Sequence, residues 1–307
     1  MDQIACIGEC MVELRERADG TFTRGFGGDT LNTAIYLARL GVAVEYVTAL
    51  GDDAWSTQML QAWQAEGVGT ALVQRLPGLL PGLYIIQTDA QGERRFSYWR
   101  DNAAARRMFD TQDAAALLER LAGYALLYVS GITLSILDAP ARERLVRALD
   151  AARRQGARVA FDTNFRPRAW PDRAVARALY EAMFARADIV LASVEDLELL
   201  GGPQSLEALL QTIPAAAELV LKLRHPAVQL RAAGDLLTIA APPVAGVQDT
   251  TAAGDSFAAA YLAARLRGAS PRQAAQAGHR LAGRVVCHPG AIIPREAMPS
   301  GWERDGA

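Results

Sequence analysis

Short apolar runs, each bounded by turn residues and separated from the next by a stretch of helical periodicity, restrict the possible folds of this chain more than any other feature. Ile4 to Gly8, Val42 to Val47, Ala125 to Val129, Val159 to Asp162, Ile189 to Leu191 and Leu219 to Leu223 read as buried strands. Between the first two lies a helix with Leu31, Ala34, Ile35 and Ala38 inward, capped by Thr30 or Asp29 and stopped at Gly41. A second helix runs from Asp53 to about Glu66 and stops at Gly67. Strands that alternate with helices need both sheet faces covered. The expected fold is therefore α/β, a three-layer, mostly parallel sheet with helices on both faces.

Two segments break the alternation. Residues 11–26 and 82–108 are rich in β-formers and charge, with turn signals at Ala18-Asp19-Gly20 and Asp89-Ala90-Gln91-Gly92. They read as hairpins outside the main sheet. No repeat, low-complexity tract or linker sets off a second domain, so a single domain over 1–307 is expected.

Composition narrows the class. With 51% apolar and 21% charged residues the chain is neither disordered nor membrane-embedded, and no apolar run approaches a bilayer span. A net charge of -2 offers no surplus to neutralise a nucleic-acid backbone. Cys6, Cys10 and Cys287 make no metal pattern with His225, His279 or His288 and read as thiols of a reducing compartment. The N-terminus lacks a basic region and breaks its apolar run at Gly8-Glu9, unlike a signal peptide; a cytoplasmic location is expected.

The chemistry concentrates in Asp249-Thr250-Thr251-Ala252-Ala253-Gly254-Asp255-Ser256-Phe257. A hydroxyl-rich turn with a small-residue elbow runs into a helix that buries Phe257, Tyr261, Leu262 and Leu266 and stops at Gly268. The helix N-terminus offers unpaired N–H groups and a positive dipole end to a phosphate. The same dipole is expected to keep Asp255 anionic, as suits a proton acceptor. This string resembles the C-terminal signature of the ribokinase-like (PfkB) sugar kinases, with Ala252 in place of one glycine. The resemblance implies that Asp255 is the base that deprotonates the sugar hydroxyl, and that Ala252, Ala253 and Gly254 form the anion hole for the transferring phosphoryl group. It also implies that the two hairpin segments, at about 11–26 and 82–108, build a small β lid over the sugar, and that ATP and Mg²⁺ are used. No P-loop string occurs.

Gly27-Gly28-Asp29-Thr30-Leu31-Asn32 matches the family's N-terminal motif, which makes Gly28, Asp29 and Asn32 sugar ligands by resemblance. In the lid, Tyr98 and Arg100 share a strand face, and a guanidinium among aromatic rings suits an anionic polyol. Asp162-Thr163-Asn164-Phe165-Arg166 follows a buried strand at its carboxyl end, where open α/β sheets bind ligands. Together with the blocks at 8–14, 24–33, 81–84 and 290–299, these stretches resemble the branch of the family that phosphorylates 2-keto-3-deoxy sugar acids. By that match Tyr84, Tyr98, Arg100 and Arg166 line the acid.

The nucleotide half departs from the family pattern. Where an Asn-x-x-Glu pair is usual, the chain reads Ala192-Ser193-Val194-Glu195-Asp196, so Ser193 is the expected nucleotide contact and Glu195 or Asp196 would hold Mg²⁺ through water. The family's phosphate-loop glycine is replaced in Lys222-Leu223-Arg224-His225-Pro226. Either Arg224, with Lys222, contacts phosphate directly or nucleotide affinity is reduced. Alternatives to a kinase of the gluco-configured acid are a kinase of the galacto-configured acid or of fructose, and a sugar-acid-binding protein with little turnover. The resemblance and the aromatic lid imply a homodimer, or a higher homo-oligomer, joined through the lid.

Overall fold

In the computed structural model, which describes residues 3–17, 19–88, 94–201 and 206–299, the buried runs join one nine-stranded sheet among those residues. Its strands are β1 (Ile4–Ile7), β4 (Val44–Leu50), β5 (Val73–Arg75), β8 (Leu126–Ser130), β9 (Arg158–Asp162), β10 (Ile189–Ser193), β11 (Glu218–Lys222), β12 (Ala227–Ala232) and β13 (Asp235–Ala240). They lie in the order β13-β12-β11-β10-β9-β8-β1-β4-β5. All pair in parallel except at the β11-β12-β13 edge, which is antiparallel.

Side chains alternate between two cores, which is what a sheet buried on both faces requires. From β1, Ala5 and Ile7 enter one core while Ile4 and Cys6 enter the other; β8 divides the same way into Leu127 and Val129 against Leu126 and Tyr128. The first core is closed by α3 (Ala114–Arg120), α4 (Gly131–Ile136), α5 (Ala139–Arg154), α6 (Arg173–Phe184), α7 (Val194–Gly201) and α8 (Leu206–Thr212). The second is closed by α1 (Asp29–Arg39), α2 (Ala54–Ala65), α9 (Ala253–Leu266) and α10 (Pro271–Val285). Among the described residues no helix is long and apolar enough to cross a membrane.

Neither Thr30 nor Asp29 caps α1. The N-cap is Gly28 and Asp29 already lies in the first turn; a Cβ at position 28 would stand 2.1 Å from the carbonyl oxygen of Glu9, so that position needs glycine. Asp53 does cap α2, accepting from the amides of Trp55 and Ser56. The β12-β13 hairpin was not anticipated; it turns through Ala233 and Gly234, both at positive φ, rather than through the Asn-Gly that usually marks such turns.

A separate four-stranded sheet stands beside the main one, in the order β3-β2-β6-β7, where β2 is Met11–Glu16, β3 Phe22–Gly27, β6 Gly82–Thr88 and β7 Arg94–Trp99. Two antiparallel hairpins meet through the parallel β2-β6 pair. The Asp89-Ala90-Gln91-Gly92 turn and Ala18 lie outside the described residues. The lid segment expected to reach residue 108 ends at Trp99: beyond it Ala104–Arg107 is a 3-10 turn, and Ala104, Ala105 and Met108 are buried in the first core.

Candidate active site

The main-sheet chain runs from β1 to β4 on one side and returns to β8 on the other, so the sheet changes direction beside β1. Crevices at the carboxyl ends of strands flanking such a point hold ligands. The segments leaving β1, β9, β10 and β11 there carry Glu9, Asp162, Ser193 and Lys222.

The turn that leads into α9 is built from its own side chains. Asp249 Oδ1 accepts from the amide of Thr251 at 2.9 Å and from its hydroxyl at 2.6 Å, an Asx-type turn. Asp249 Oδ2 accepts from Gly290 N at 2.9 Å and from Arg15 Nη1 of β2 at 3.4 Å. Ala252, standing where the family signature has glycine, takes left-handed geometry (φ 58, ψ 14) and starts α9. Ala253 N–H points back to Thr250 O at 3.3 Å. Of Ala253 and Gly254, both expected to give amides to the anion hole, Gly254, inside the first turn, is thus the better placed donor. A Cβ on Gly254 would lie 3.4 Å from Lys222 Nζ, which sets the lysine against the turn.

Asp255 contradicts one expectation. The helix dipole does not dominate its ionisation: burial and then the neighbouring Asp29 push the carboxyl up to about 7, against the opposing pull of Asn32 and Lys222. Asn32 Nδ2 donates to Asp255 Oδ2 at 2.8 Å, and Thr33 Oγ1 donates to the Asp255 carbonyl at 3.3 Å. The arrangement yields a carboxyl that exchanges a proton near neutrality.

Further acidic groups surround it. Asp162, buried, lies 3.5 Å from Lys222 Nζ, and burial raises its pKa. Burial alone would lower Lys222, but Asp162, Asp196 and Asp255 together outweigh it and hold the ammonium above its ordinary range. Asn164, at φ 29, turns its amide to Asp29 Oδ2 at 2.8 Å, tying the loop after β9 to the start of α1. Arg166 is 59% exposed, and its one long ion pair, 3.9 Å to Asp196, leaves it able to reach a ligand.

The nucleotide-side residues are disposed less as expected. Ser193 Oγ accepts from Asp196 N at 3.1 Å and so serves the start of α7. Arg224 pairs with Glu195 (3.6 Å) and Glu198 and stays exposed, so that it and Glu195 satisfy each other. Asp196, whose Oδ2 accepts from Thr163 at 2.8 Å, is therefore the better of the two proposed metal-side carboxylates. Among the described residues no group of three His, Cys, Asp or Glu could hold a metal. Hard oxygen donors at Asp162 and Asp196 nevertheless suit Mg²⁺ bound chiefly through phosphate and water.

In the small sheet, register sets Glu13 beside Tyr84 and Tyr84 beside Tyr98. The Tyr84 and Tyr98 rings lie 5.9 Å apart, and Tyr98 is half exposed. Tyr84 donates to Glu13, and a Cβ on Gly27 would fall 2.1 Å from the tyrosine oxygen. Arg100 is held by the buried Glu9 and lies 5.9 Å from the centre of the Tyr98 ring. Glu9 and Glu13 escaped the sequence reading, although two carboxylates within the otherwise apolar Gly8–Leu14 block are a visible anomaly. A cavity of about 650 Å³ beside Phe109, Leu118 and Arg144 shares none of these residues.

Comparison with known proteins gives the family of the chain. The chain is 46% identical over 307 residues to the 2-dehydro-3-deoxygluconokinase of Escherichia coli (strain K12), covering 97% of this chain and 99% of that one. It is likewise 46% identical to the protein of that name from Dickeya dadantii (strain 3937), covering 97% and 98%. Its structure superposes on fructokinase with bound ATP from Xylella fastidiosa with a TM-score of 0.80 at 26% identity, over 97% of this chain and 95% of that one. The family model for pfkB family carbohydrate kinases matches residues 1–298. The chain belongs to that family and is a carbohydrate kinase.

Proposed function

We propose that this chain is a cytoplasmic kinase that transfers the γ-phosphate of ATP to the 6-hydroxyl of 2-keto-3-deoxy-D-gluconate, giving 2-keto-3-deoxy-6-phosphogluconate. The observation that carries this reading is Asp255, a carboxyl poised at about 7 in the first turn of α9 and joined through Asn32 to the sugar-motif helix. Near-full-length similarity to 2-dehydro-3-deoxygluconokinases supports the choice of an acid sugar.

Asp255 takes the hydroxyl proton as the oxygen attacks. The Gly254 amide, the α9 N-terminus and the Lys222 ammonium stabilise the oxygens of the transferring group. Gly28, Asp29 and Asn32 orient sugar hydroxyls, while Arg100, Arg166, Tyr84 and Tyr98 face the carboxylate end. Asp162 and Asp196 would hold Mg²⁺ through phosphate and water, and the ion would supply charge neutralisation of the phosphates there.

The pair between Glu9 and Arg100 favours a second reading. An arginine already satisfied imposes less penalty on a neutral sugar, so a fructose kinase is the competing assignment. A coupled ADP assay with the keto-deoxy acid, its C4 epimer and fructose separates the two. The proposal expects kcat/KM to be highest for the gluco-configured acid; a higher value for fructose would overturn it, and binding without turnover would make the chain a sugar-acid sensor.

The small sheet exposes Phe96, Tyr98 and Trp99, apolar area suited to burial in a homodimer. Sedimentation at micromolar concentration should find twice the chain mass.

A further inference from the structure

Glu9 leaves β1 directly beneath the small sheet and is 2% exposed. Its Oε2 pairs with Arg100 Nη2, whereas Oε1 is buried without a hydrogen-bond partner. Two glycines encase it. A Cβ on Gly82 would stand 3.0 Å from Glu9 Oε1 and 3.2 Å from Arg100 Cβ, and a Cβ on Gly28 would strike the Glu9 carbonyl oxygen at 2.1 Å. Besides Arg100, the charges acting on Glu9 are Arg106 and Asp29. A lone buried carboxylate is costly, and this one is retained under a single lid guanidinium.

We propose that Glu9 is the positioning residue for Arg100, fixing the plane and reach of its guanidinium for the carboxylate of the sugar acid. The inference rests on the assignment of Arg100 to that carboxylate above. A guanidinium is a rigid planar fork with five donors, so gripping one terminal nitrogen orients the whole group. Arg100 Nε carries no hydrogen bond and the ring of Tyr98 lies 5.9 Å away, so the carboxylate of Glu9 is the polar anchor at this end of the side chain. The position of that carboxylate, as well as its charge, then decides where the fork points.

Glu9→Asp keeps the charge but withdraws the carboxylate by about 1.5 Å, one C–C bond. The variant is expected to raise KM for the keto-deoxy acid at least fivefold, with kcat and KM for ATP within twofold of wild type. In an Arg100→Ala background the same substitution should change the acid KM by less than 1.5-fold, because no guanidinium remains to be aimed. A merely structural glutamate would lower the melting temperature and leave this coupling absent. An acid KM within twofold of wild type in Glu9→Asp, or an equal effect with and without Arg100, overturns the proposal. Should Glu9→Asp not fold, Glu9→Gln, equal in reach, is put through the same cycle, and an equal effect in both backgrounds again overturns it. Arg100→Ala alone distinguishes the two levels: an unchanged acid KM there removes the assignment of Arg100 and Glu9's role with it, whereas a raised KM with a silent Glu9→Asp removes only the latter.

Discussion

Asn32 donates its side-chain amide to the carboxylate of Asp255 at 2.8 Å, linking the first turn of α1 to the first turn of α9 across 223 positions of sequence. The bond favours the ionised carboxylate, while burial and Asp29 oppose it. With the carboxyl at about 7, kcat/KM for the sugar should fall below neutral pH as the base becomes protonated. Asn32→Ala removes a stabiliser of the anion, so the limb of kcat at saturating sugar should move to higher pH, with turnover lost at pH 7 and largely regained at pH 9, while the lost sugar contact raises KM at every pH. A pH-rate series in the coupled assay reads this directly, and an unmoved limb would show that Asn32 does not govern the base.

Asp255→Asn should lower kcat by about 10²-fold or more with little change in sugar KM, since the loss falls on proton removal. The same variant should be more heat-stable. A carboxyl whose folded pKa is raised contributes stability below its unfolded pKa and loses it as pH rises through the folded value. The gain in melting temperature should therefore be clear at pH 8 and vanish near pH 4. Scanning calorimetry at the two pH values tests this, and a gain of equal size at both would contradict a raised pKa.

Ala252 tests the altered signature. A non-glycine residue in left-handed geometry costs roughly 1 to 2 kcal/mol, and glycine's extra freedom when unfolded returns about 0.4 to 1 of that. Ala252→Gly should stabilise the chain by about 0 to 1.6 kcal/mol, or up to about 3 °C in melting temperature.

Lys222 and Arg224 should separate cleanly, although both belong to the altered loop. Lys222→Met removes the cation beside Asp162 and Gly254 and should lower kcat about 10- to 100-fold. Arg224→Ala breaks only exposed pairs with Glu195 and Glu198 and should leave KM for ATP within about threefold. A large effect at Arg224 would mean that it leaves its glutamates for phosphate.

Much of this architecture was legible because burial on two faces leaves a strong imprint: the runs at Ile4, Val44, Leu126, Val159, Ile189 and Leu219 are apolar on both sides of the sheet. The β12-β13 edge was not, since Gln229, Arg231 and Leu236 face partly or wholly outward and the turn lacks the usual dipeptide. At the site, motif spacing pointed to Asp255, Asn32 and Arg100 but was blind to their partners. Glu9, Glu13 and Asp29 meet Arg100, Tyr84 and Asn164 only in three dimensions, across 91, 71 and 135 positions. Sequence likewise showed Asp255 as a helix-start anion, because local position conveys the dipole and not the desolvation that outweighs it.

Arg15 belongs to the small sheet proposed to receive the sugar, yet its guanidinium lies against Asp249, the residue that folds the turn before Asp255. Acceptor recognition and donor chemistry are therefore not interchangeable parts. Grafting the strands at 11–27 from a relative with another sugar preference would also exchange Arg15, so a successful exchange of specificity keeps a cation at that position against Asp249.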